Sequence, residues 1–260
     1  MNLGGILTTS RSGLNGMQKS LDNIANNIAN VDTVGYKSRD TSFRELLNNQ
    51  VNQNEVGLSQ NAGQIGLDRG LEVDQESINQ AQGALKKTSS PYDLAITGQG
   101  YFGVYDQSGQ FYLTRAGNFQ RNAAGELVNQ AGDRLAITTT VPQAQWPQGD
   151  VKIAADGTIS IQQGANATTV GKIPLYQPQN MEDLQTAGNN RYRVVNGGTL
   201  LATTNGDNLG TINQYALENS TVELAGSMAD MITTQRAYAL NAKVLQSTDD
   251  MLGTVNRFSE

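Results

Sequence analysis

Residues 3–37 read LGGILTTSRSGLNGMQKSLDNIANNIANVDTVGYK, and the rest of the chain is interpreted outward from this N-terminal segment. Its apolar residues recur at alternating steps of four and three, with Ser10 at the one polar step: Leu3, Leu7, Leu14, Met17, Leu21, Ile24, Ile28 and Val31. This spacing is the heptad pattern of a helix that packs in a coiled coil. At 1.5 Å per residue the helix would be about 42 Å long, which exceeds the needs of a small core.

The C-terminal end carries a second heptad pattern. Its positions are Leu217, Thr221, Leu224, Met228, Met231, Gln235, Tyr238, Ala242, Leu245, Asp249 and Leu252, and they predict a helix from about residue 217 to about 258. A second apolar line runs beside the first, through Ile232, Leu240, Val244, Met251, Val255 and Phe258. Because two lines of apolar residues cannot both face one partner, the helix offers apolar surface in more than one direction.

The middle of the chain has a different composition. From Ser38 to about Ser90 it is rich in Asn, Gln and Gly and has no long periodic pattern, which predicts an extended linker. Within the linker we expect a short helix at about residues 41–50 and isolated strands at about residues 63–73 and 84–88. All five prolines lie between Pro91 and Pro178, in a region with frequent turn signals.

Three hairpins are expected in this proline-bearing region. Residues 101–105 and 111–114 flank the turn Asp106–Gly109, and residues 151–153 and 158–161 flank Asp156-Gly157. Residues 194–195 and 199–201 flank Asn196-Gly197-Gly198. Short alternating runs around Gly-containing turns are typical of β-hairpins.

Together these patterns predict an α+β fold. The terminal helices form a coiled-coil or bundle layer, and the centre is an all-β domain of short strands. The predicted boundaries are an N-terminal assembly helix in residues 1–35, a linker in 36–90, the β domain in 91–205 and a C-terminal assembly helix in 206–260.

Three segments resemble the bacterial flagellar axial proteins, the family of rod and hook subunits. The first resembles the signature ANNxANxxTxGYK through Ala25, Asn26, Asn27, Ala29, Asn30, Thr33, Gly35, Tyr36 and Lys37. The second comprises residues 93–102 and TRAGNF at 114–119, which resemble the middle domain of the rod members. The third comprises LENSTVEL at 217–224 and MITTQRAYALNAKV at 231–244, which resemble the closing helix of the family.

The resemblance implies a mechanical function. The chain would be a structural subunit of the flagellar basal-body rod, either the distal rod protein or its neighbouring paralogue. It would polymerise through its terminal helices into a helical tube that transmits torque to the hook. The implied partners are other copies of itself, other rod and hook proteins, and the flagellar type III export apparatus. The implied location is the basal body, outside the cytoplasmic membrane.

The heptad positions and their neighbours are the predicted assembly interface. They are Leu7, Leu14, Met17, Leu21, Ile24, Asn27, Ile28, Asn30 and Val31 in the first helix, and Leu224, Met228, Met231, Gln235, Arg236, Tyr238, Leu245 and Leu252 in the second. The asparagines at 23, 26, 27 and 30 either face solvent or hydrogen-bond to packed neighbours. Gly13 and Gly16 mark either a closely packed neighbour or frayed first turns. Gly35 is expected to end the helix in a left-handed turn.

Composition excludes several other functions. The chain has 260 residues, a formal net charge of -6 and a pI near 4.7, which argues against nucleic acid or an anionic membrane as partner. It has no cysteine and no histidine, so it lacks thiol chemistry and the most frequent general base and metal ligand. No segment has the roughly 18 apolar residues that a membrane-spanning helix needs. We therefore expect no cofactor, no metal and no membrane insertion.

Two alternative functions fit parts of the sequence. A secreted coiled-coil adhesin would use the same heptads in a closed dimer or trimer. A cell-wall-cleaving enzyme would need two facing carboxylates about 5 to 10 Å apart, and Asp93 and Glu126 are candidates. Arg115 and Arg236 are either surface charges or parts of an intersubunit contact, and the interface is preferred for Arg236. No catalytic residue is predicted.

Overall fold

The structure, a computed structural model, describes residues 3–48, 67–164, 166–195, 198–203 and 209–258. The chain divides into two compact units. The first, called the helical unit, comprises residues 1–31, 38–79 and 222–260. The second, called the β unit, comprises residues 32–37 and 80–221. The predicted α+β class is confirmed.

The helical unit contains two long helices and a β-hairpin. Its helices are α1 (Leu3–Ala29) and α2 (Leu224–Phe258), and its strands are β1 (Arg39–Asn48) and β2 (Leu67–Ile78). The strands pair antiparallel, from Arg39 opposite Ile78 to Asn48 opposite Leu67. Helix α1 packs against α2 and against both strands. None of the helices in the described residues is both long and apolar enough to cross a membrane.

The predicted helix at residues 41–50 is wrong, because residues 39–48 form strand β1. A ten-residue segment has no strong helical preference of its own, and pairing with β2 satisfies its backbone instead. The strand predicted at about 63–73 corresponds to β2, which runs to Ile78, while residues 63–66 lie outside the described residues. This strand is not isolated, because it pairs with β1. The strand predicted at about 84–88 is not isolated either, since residues 85–87 pair with residues 216–218.

Both helices are shorter than their patterns predicted. Helix α1 ends at Ala29, and Gly35 takes its left-handed conformation, with φ of 66°, in the turns that follow rather than at the helix end. Helix α2 begins at Leu224 instead of about residue 217, because Ala216–Glu218 form a strand. The heptad positions Leu217 and Thr221 are therefore not helical.

The β unit is made of many short strands. Strands β3 to β10 span Leu85–Lys87, Leu94–Thr97, Tyr101–Tyr105, Phe111–Thr114, Gln120–Arg121, Leu127–Val128, Arg134–Leu135 and Thr138–Thr139. Strands β11 to β19 span Asp150–Ile153, Thr158–Gln163, Asn166–Lys172, Leu175–Pro178, Leu184–Gly188, Arg191–Val194, Leu200–Ala202, Thr211–Gln214 and Ala216–Glu218. Short 3-10 helices lie at Gln143–Gln145 and Met181–Asp183.

The strands form two larger sheets and two strand pairs. The nine-stranded sheet has the order β15-β16-β6-β5-β9-β8-β7, with β14 joining β5 to β17. The four-stranded sheet has the order β10-β13-β12-β11. The pairs are β18 with β4 and β19 with β3.

Two of the three predicted hairpins are confirmed, as β5–β6 and β11–β12. The third is wrong, since β16 pairs with β15 and β6 while β17 pairs with β14. Residues 196 and 197 of its expected turn lie outside the described residues. Strand β15 competes with β17 for pairing with β16. It is connected to β16 by a tight turn in which Asn189 and Asn190 adopt φ of 51° and 55°, and this local pairing forms instead of the predicted one.

The β unit has one apolar core between its sheets. Its members come from strands throughout the unit and include Leu94, Ile96, Phe102, Val104, Phe119, Leu127, Leu135, Trp146, Ile159, Ile161, Val170, Ile173, Leu175 and Ile212. Phe102 and Phe119 meet edge to face with ring centres 5.6 Å apart. Because the core includes residues from 94 to 212, it depends on strands that are distant in sequence.

Candidate functional site

Helix α2 approaches α1 closely at Gly13, in a part of α1 where small residues are buried. Ser10, Gly13 and Gly16 are buried. A Cβ atom on Gly13 would lie 3.3 Å from Nδ2 of Asn241 in α2. The glycine therefore permits a close approach of α2, which is the first of the two explanations given for it above.

The apolar heptad residues of α1 are only half-buried. This holds for Leu7, Leu14, Met17, Leu21, Ile24 and Ile28, and the heptad residue Val31, two positions after the end of α1, is half-buried as well. They pack within the unit and also keep accessible surface. Their part in assembly stays a prediction.

Only part of the predicted assembly interface of α2 faces the inside of the helical unit, and its part in assembly stays a prediction. Its buried and half-buried positions include Ser227, Met231, Thr234, Asn241, Leu245, Thr248 and Leu252. Met231, Leu245 and Leu252 belong to the predicted heptad. The other predicted interface residues of α2 are exposed: Leu224, Met228, Gln235, Arg236 and Tyr238.

Among the described side chains of α2, six large non-aromatic apolar ones are exposed in addition to Tyr238. We call them the apolar face of α2: Leu224, Met228, Ile232, Leu240, Val244 and Met251. Ile232 is 53% exposed and Leu240 is 64% exposed. Single exposed apolar residues are ordinary, but six on one helix are typical of a surface that binds another protein. The prediction that this helix offers apolar surface in more than one direction is confirmed for the described side chains.

The asparagines of α1 divide into two pairs. Asn23 donates from Nδ2 to Oγ1 of Thr41 at 2.7 Å, and Asn27 donates from Nδ2 to the carbonyl of Arg39 at 2.9 Å. The Arg39 N–H in turn donates to Oδ1 of Asn27 at 3.0 Å. Asn26 and Asn30 instead donate to carbonyls one turn earlier in their own helix. The amides of Asn23 and Asn27 therefore attach strand β1 to α1, and a contribution of Asn27 or Asn30 to assembly stays a prediction.

Gly35 lies against the backbone of another motif segment in the β unit. A Cβ atom at this position would lie 2.4 Å from the carbonyl carbon and oxygen of Arg115. The Gly35 N–H donates to the carbonyl of Glu218 at 2.7 Å. Both the left-handed φ and the close approach require glycine.

Next to Gly35, three charged side chains meet in the interior of the β unit. Lys37 and Glu218 are each 1% exposed, and Nζ of Lys37 lies 2.6 Å from Oε1 of Glu218. Nη1 of Arg115 lies 3.1 Å from Oε2 of the same carboxylate. We call these three residues the ion cluster. It joins positions that are up to 181 residues apart in sequence.

Backbone groups complete the ion cluster. Lys37 also donates to the carbonyl of Ala81 at 2.6 Å, and Arg115 donates from Nη2 to the carbonyl of Gly98 at 2.7 Å. The Gly83 N–H donates to Oε1 of Glu218 at 2.9 Å. One carboxylate thus accepts from two cations and a backbone amide, as a buried charge requires.

Burial shifts the ionisation of groups in and beside the cluster. Desolvation lowers the pKa of Lys37, and the hydrogen bond and charge of Glu218 offset part of that effect. Desolvation also raises the pKa of Tyr101, whose ring lies 5.3 Å from the Arg115 guanidinium carbon. With two cations and one anion, the site has an excess positive charge when all three groups are ionised.

Sequence reasoning did not find the ion cluster. Arg115 was considered as a surface charge or an intersubunit contact, but it is buried and pairs within the chain. Lys37 was noted only as part of a motif, and Glu218 was assigned to a helix. A usable signal was present, because opposite charges lie inside three otherwise uncharged motif segments, GYK, TRAG and LENS.

Of the two residues considered for an enzyme, Glu126 holds its carboxylate in other contacts, and Asp93 pairs through its backbone. Oε1 of Glu126 lies 3.3 Å from Nη1 of Arg134, and Oε2 accepts from Nδ2 of Asn122 at 3.1 Å. Asp93 forms an isolated β-bridge with Asn118. Across the part of the chain that the structure describes, no group of three or more acidic, Cys or His side chains is placed to hold a metal.

Three family models match separate segments of the chain. Residues 7–37 match "Flagella basal body rod protein", and residues 95–161 match "Flagellar hook protein FlgE/F/G D1 domain". Residues 213–258 match "Flagellar basal body rod FlgEFG protein C-terminal". Each matched segment supplies one member of the ion cluster.

Similar proteins align with almost the whole chain. The flagellar basal-body rod protein FlgG of Caulobacter vibrioides is 32% identical, over 95% of this chain and 96% of its own. FlgG of Agrobacterium fabrum is 31% identical, over 96% of this chain and 98% of its own. The flagellar hook-basal body complex protein FlhP of Bacillus subtilis is 28% identical, over 96% of this chain and 97% of its own.

Proposed function

The chain belongs to the family of flagellar basal-body rod proteins, and we propose that it polymerises through its terminal helices into the rod. It is a structural subunit, and its location is the flagellar basal body. It assembles with other flagellar rod and hook proteins.

The observation that carries the proposal is the apolar face of α2. Its six side chains keep much of their surface exposed although α2 already packs against α1. Fully burying an apolar side chain of this size yields about 1.5 to 3 kcal/mol. Neighbouring copies of α1 and α2 would supply that burial, with the half-buried heptad residues of α1 as additional contacts.

The geometry of the contacts between subunits determines whether they form a closed ring or an open helix. A surface on one subunit that binds a different surface on the next gives a ring if the rotation closes and an open helix if it does not. We propose the open helix, a tube that carries torque toward the hook. The subunit would be the distal rod protein or its neighbouring paralogue, and similarity to proteins named FlgG supports a position in the rod.

We also propose that different segments of the chain have different roles. The assembly segments predicted as residues 1–35 and 206–260 would act through α1 (Leu3–Ala29) and α2 (Leu224–Phe258). The β unit extends beyond the predicted 91–205 to residues 32–37 and 80–221, and it would form the β domain. Of the predicted linker 36–90, residues 39–48 and 67–78 form the paired strands of the helical unit. Export through the flagellar type III apparatus would bring the chain to its site. The relatives' names support neither the adhesin nor the cell-wall-cleaving enzyme.

Sedimentation velocity over a concentration series tests the proposal on the full chain. We expect the wild type to be monomeric when dilute and to form open-ended polymers when concentrated. Leu240→Asp should stop polymerisation, because a charge in a buried apolar contact is unfavourable. The side chain is 64% exposed, so the monomer should stay folded by circular dichroism.

Thr168→Asp is the matched control, since it adds the same charge at an exposed position on β13 of the β unit. It should polymerise like the wild type. A closed dimer or trimer at every concentration would instead favour the adhesin. Unchanged polymerisation of Leu240→Asp would exclude the part of the apolar face of α2 around Leu240 from the interface.

A further inference from the structure

The ion cluster joins the first segment of the β unit to the last one. Residues 32–37 begin this unit, and β19 together with residues 219–221 ends it. Besides the Lys37–Glu218 pair, the Gly35 N–H donates to the Glu218 carbonyl and the Thr221 N–H donates to the Tyr36 carbonyl at 3.1 Å. The two ends of the unit are thus fastened to each other by backbone and side-chain bonds together.

Glu218 is the only acidic member of the cluster. Without its carboxylate, Lys37 and Arg115 would be two like charges in a site where they are 1% and 5% exposed. Removing one partner of a buried ion pair is strongly destabilising because it leaves an uncompensated charge in the interior. The docking of residues 32–37 against β19 therefore requires Glu218, which lies 181 positions after Lys37.

The ion cluster borders the main apolar core, because Nη1 of Arg115 donates to the carbonyl of Ile96 at 3.5 Å, but none of its three side chains is among the described apolar core residues. The described core residues run from Leu94 to Ile212, and they include neither residues 32–37 nor β19. Ala81 and Gly83, which bond to the cluster, also lie outside that range. Local regions of a protein can open without global unfolding when their contacts are separate from the core.

We propose that Glu218 is a latch, which fixes residues 32–37 and 81–83 in the β unit only when the last strand has docked. The negative charge of Glu218 holds these two segments in their docked position, and the apolar core of the β unit folds without that charge. A chain that lacks residue 218, during synthesis or any other N-terminus-first process, would hold a folded core while its leading segment stays loose. The inference does not depend on polymerisation.

Amide hydrogen exchange on the full-length, dilute protein tests the latch. In Glu218→Gln, peptides covering residues 33–37 and 81–84 should lose protection by about 100-fold or more, as expected for an uncompensated buried charge. The unfolding transition followed by fluorescence of Trp146, which is buried in the core, should remain. Glu126→Gln is the control, because it removes the partly exposed pair with Arg134 in the same unit and should change neither observable.

A double variant separates charge from packing. Lys37→Met combined with Glu218→Gln leaves only one cation in the site, so it should recover protection at least about 5-fold relative to Glu218→Gln alone. If Glu218 acted only through its shape or its hydrogen bonds, the double variant would be less protected than the single one. Equal or lower protection in the double variant overturns the latch. Loss of the Trp146 transition in Glu218→Gln overturns its independence from the core.

Discussion

Gly35 illustrates how one backbone position can serve a contact that is distant in sequence. The left-handed conformation was predicted from the residue type, since glycine adopts it without steric cost. The reason for it was not predicted. It brings the chain against the carbonyl of Arg115, 80 positions later, and places the Gly35 N–H on Glu218.

Gly35→Ala should therefore open this part of the β unit. We expect the free energy of local opening, measured by amide exchange of peptides covering residues 33–37, to fall by at least about 2 kcal/mol, since strain and overlap act together. The matched control is Gly109→Ala, where φ is 83° but a Cβ would meet nothing within 4 Å. In Gly109→Ala, the free energy of local opening of the hairpin that contains residue 109 should fall by only about 1 kcal/mol. Equal losses at the two sites would mean that φ alone, and not the approach to Arg115, decides the effect.

At the scale of elements, the existence of α1 and α2 was predictable and their ends were not. A heptad pattern is local and extends over many turns, so it identifies a helix from sequence. The N-terminal end of α2 is set instead by β19, which places Glu218 beside Lys37 and Arg115. The lone charge of Glu218 in the motif segment LENS indicates that it has a partner, but the local sequence does not identify Lys37 and Arg115 as that partner. The same holds for β1, whose partner strand begins at Leu67.

The inward side of α2 was also only partly predictable. The heptad rule selects apolar residues, whereas α2 turns Ser227, Thr234 and Thr248 inward and leaves Ile232 and Leu240 exposed. In a chain that packs alone this distribution would be unfavourable. It is consistent with a helix whose apolar residues are kept for contacts between subunits, while small and polar residues such as Gly13 serve the contact within one.

The attachment of β1 to α1 gives a prediction at this scale. Asn27→Ala removes both bonds to the backbone of Arg39, a half-buried residue, and leaves its N–H and carbonyl without these two partners. We expect the opening free energy of β1, from amide exchange of peptides covering residues 39–48, to fall by about 1 to 3 kcal/mol.

Asn26→Ala is the comparison on the same helix. Asn26 is exposed and bonds only to the carbonyl of Asp22 one turn earlier, and alanine is the better helix former. This variant should leave β1 unchanged. A similar loss in both variants would show that general weakening of α1, rather than the Asn27–Arg39 contact, controls the strand.

At the scale of the whole molecule, the β unit buries a charged cluster, whereas the helical unit exposes apolar side chains. The β unit encloses its charged residues Lys37, Arg115 and Glu218 and fastens its own ends with them. The helical unit exposes apolar residues on α2. A rod subunit needs both, because a monomer must be stable before assembly and must still hold surface in reserve for its neighbours.

The methionines allow the use of this reserve surface to be followed in the unmodified chain. Met228 and Met251 lie on the apolar face of α2 and are about half exposed, whereas Met181 lies in the β unit and is half-buried. Peroxide converts an accessible methionine thioether to the sulfoxide, with water as the other product. In the polymer, oxidation of Met228 and Met251 should slow at least about 5-fold relative to the dilute monomer, because neighbouring helices exclude the reagent.

Met181 supplies the internal reference, measured by mass spectrometry in the same samples. Its oxidation rate should be the same in monomer and polymer, since the proposed contacts involve α1 and α2. Slower oxidation at all three positions would indicate non-specific aggregation rather than assembly through the helices. Unchanged rates at Met228 and Met251 in a true polymer would place the interface on another surface, and α1, with its half-buried heptad residues, would then be the helix to examine.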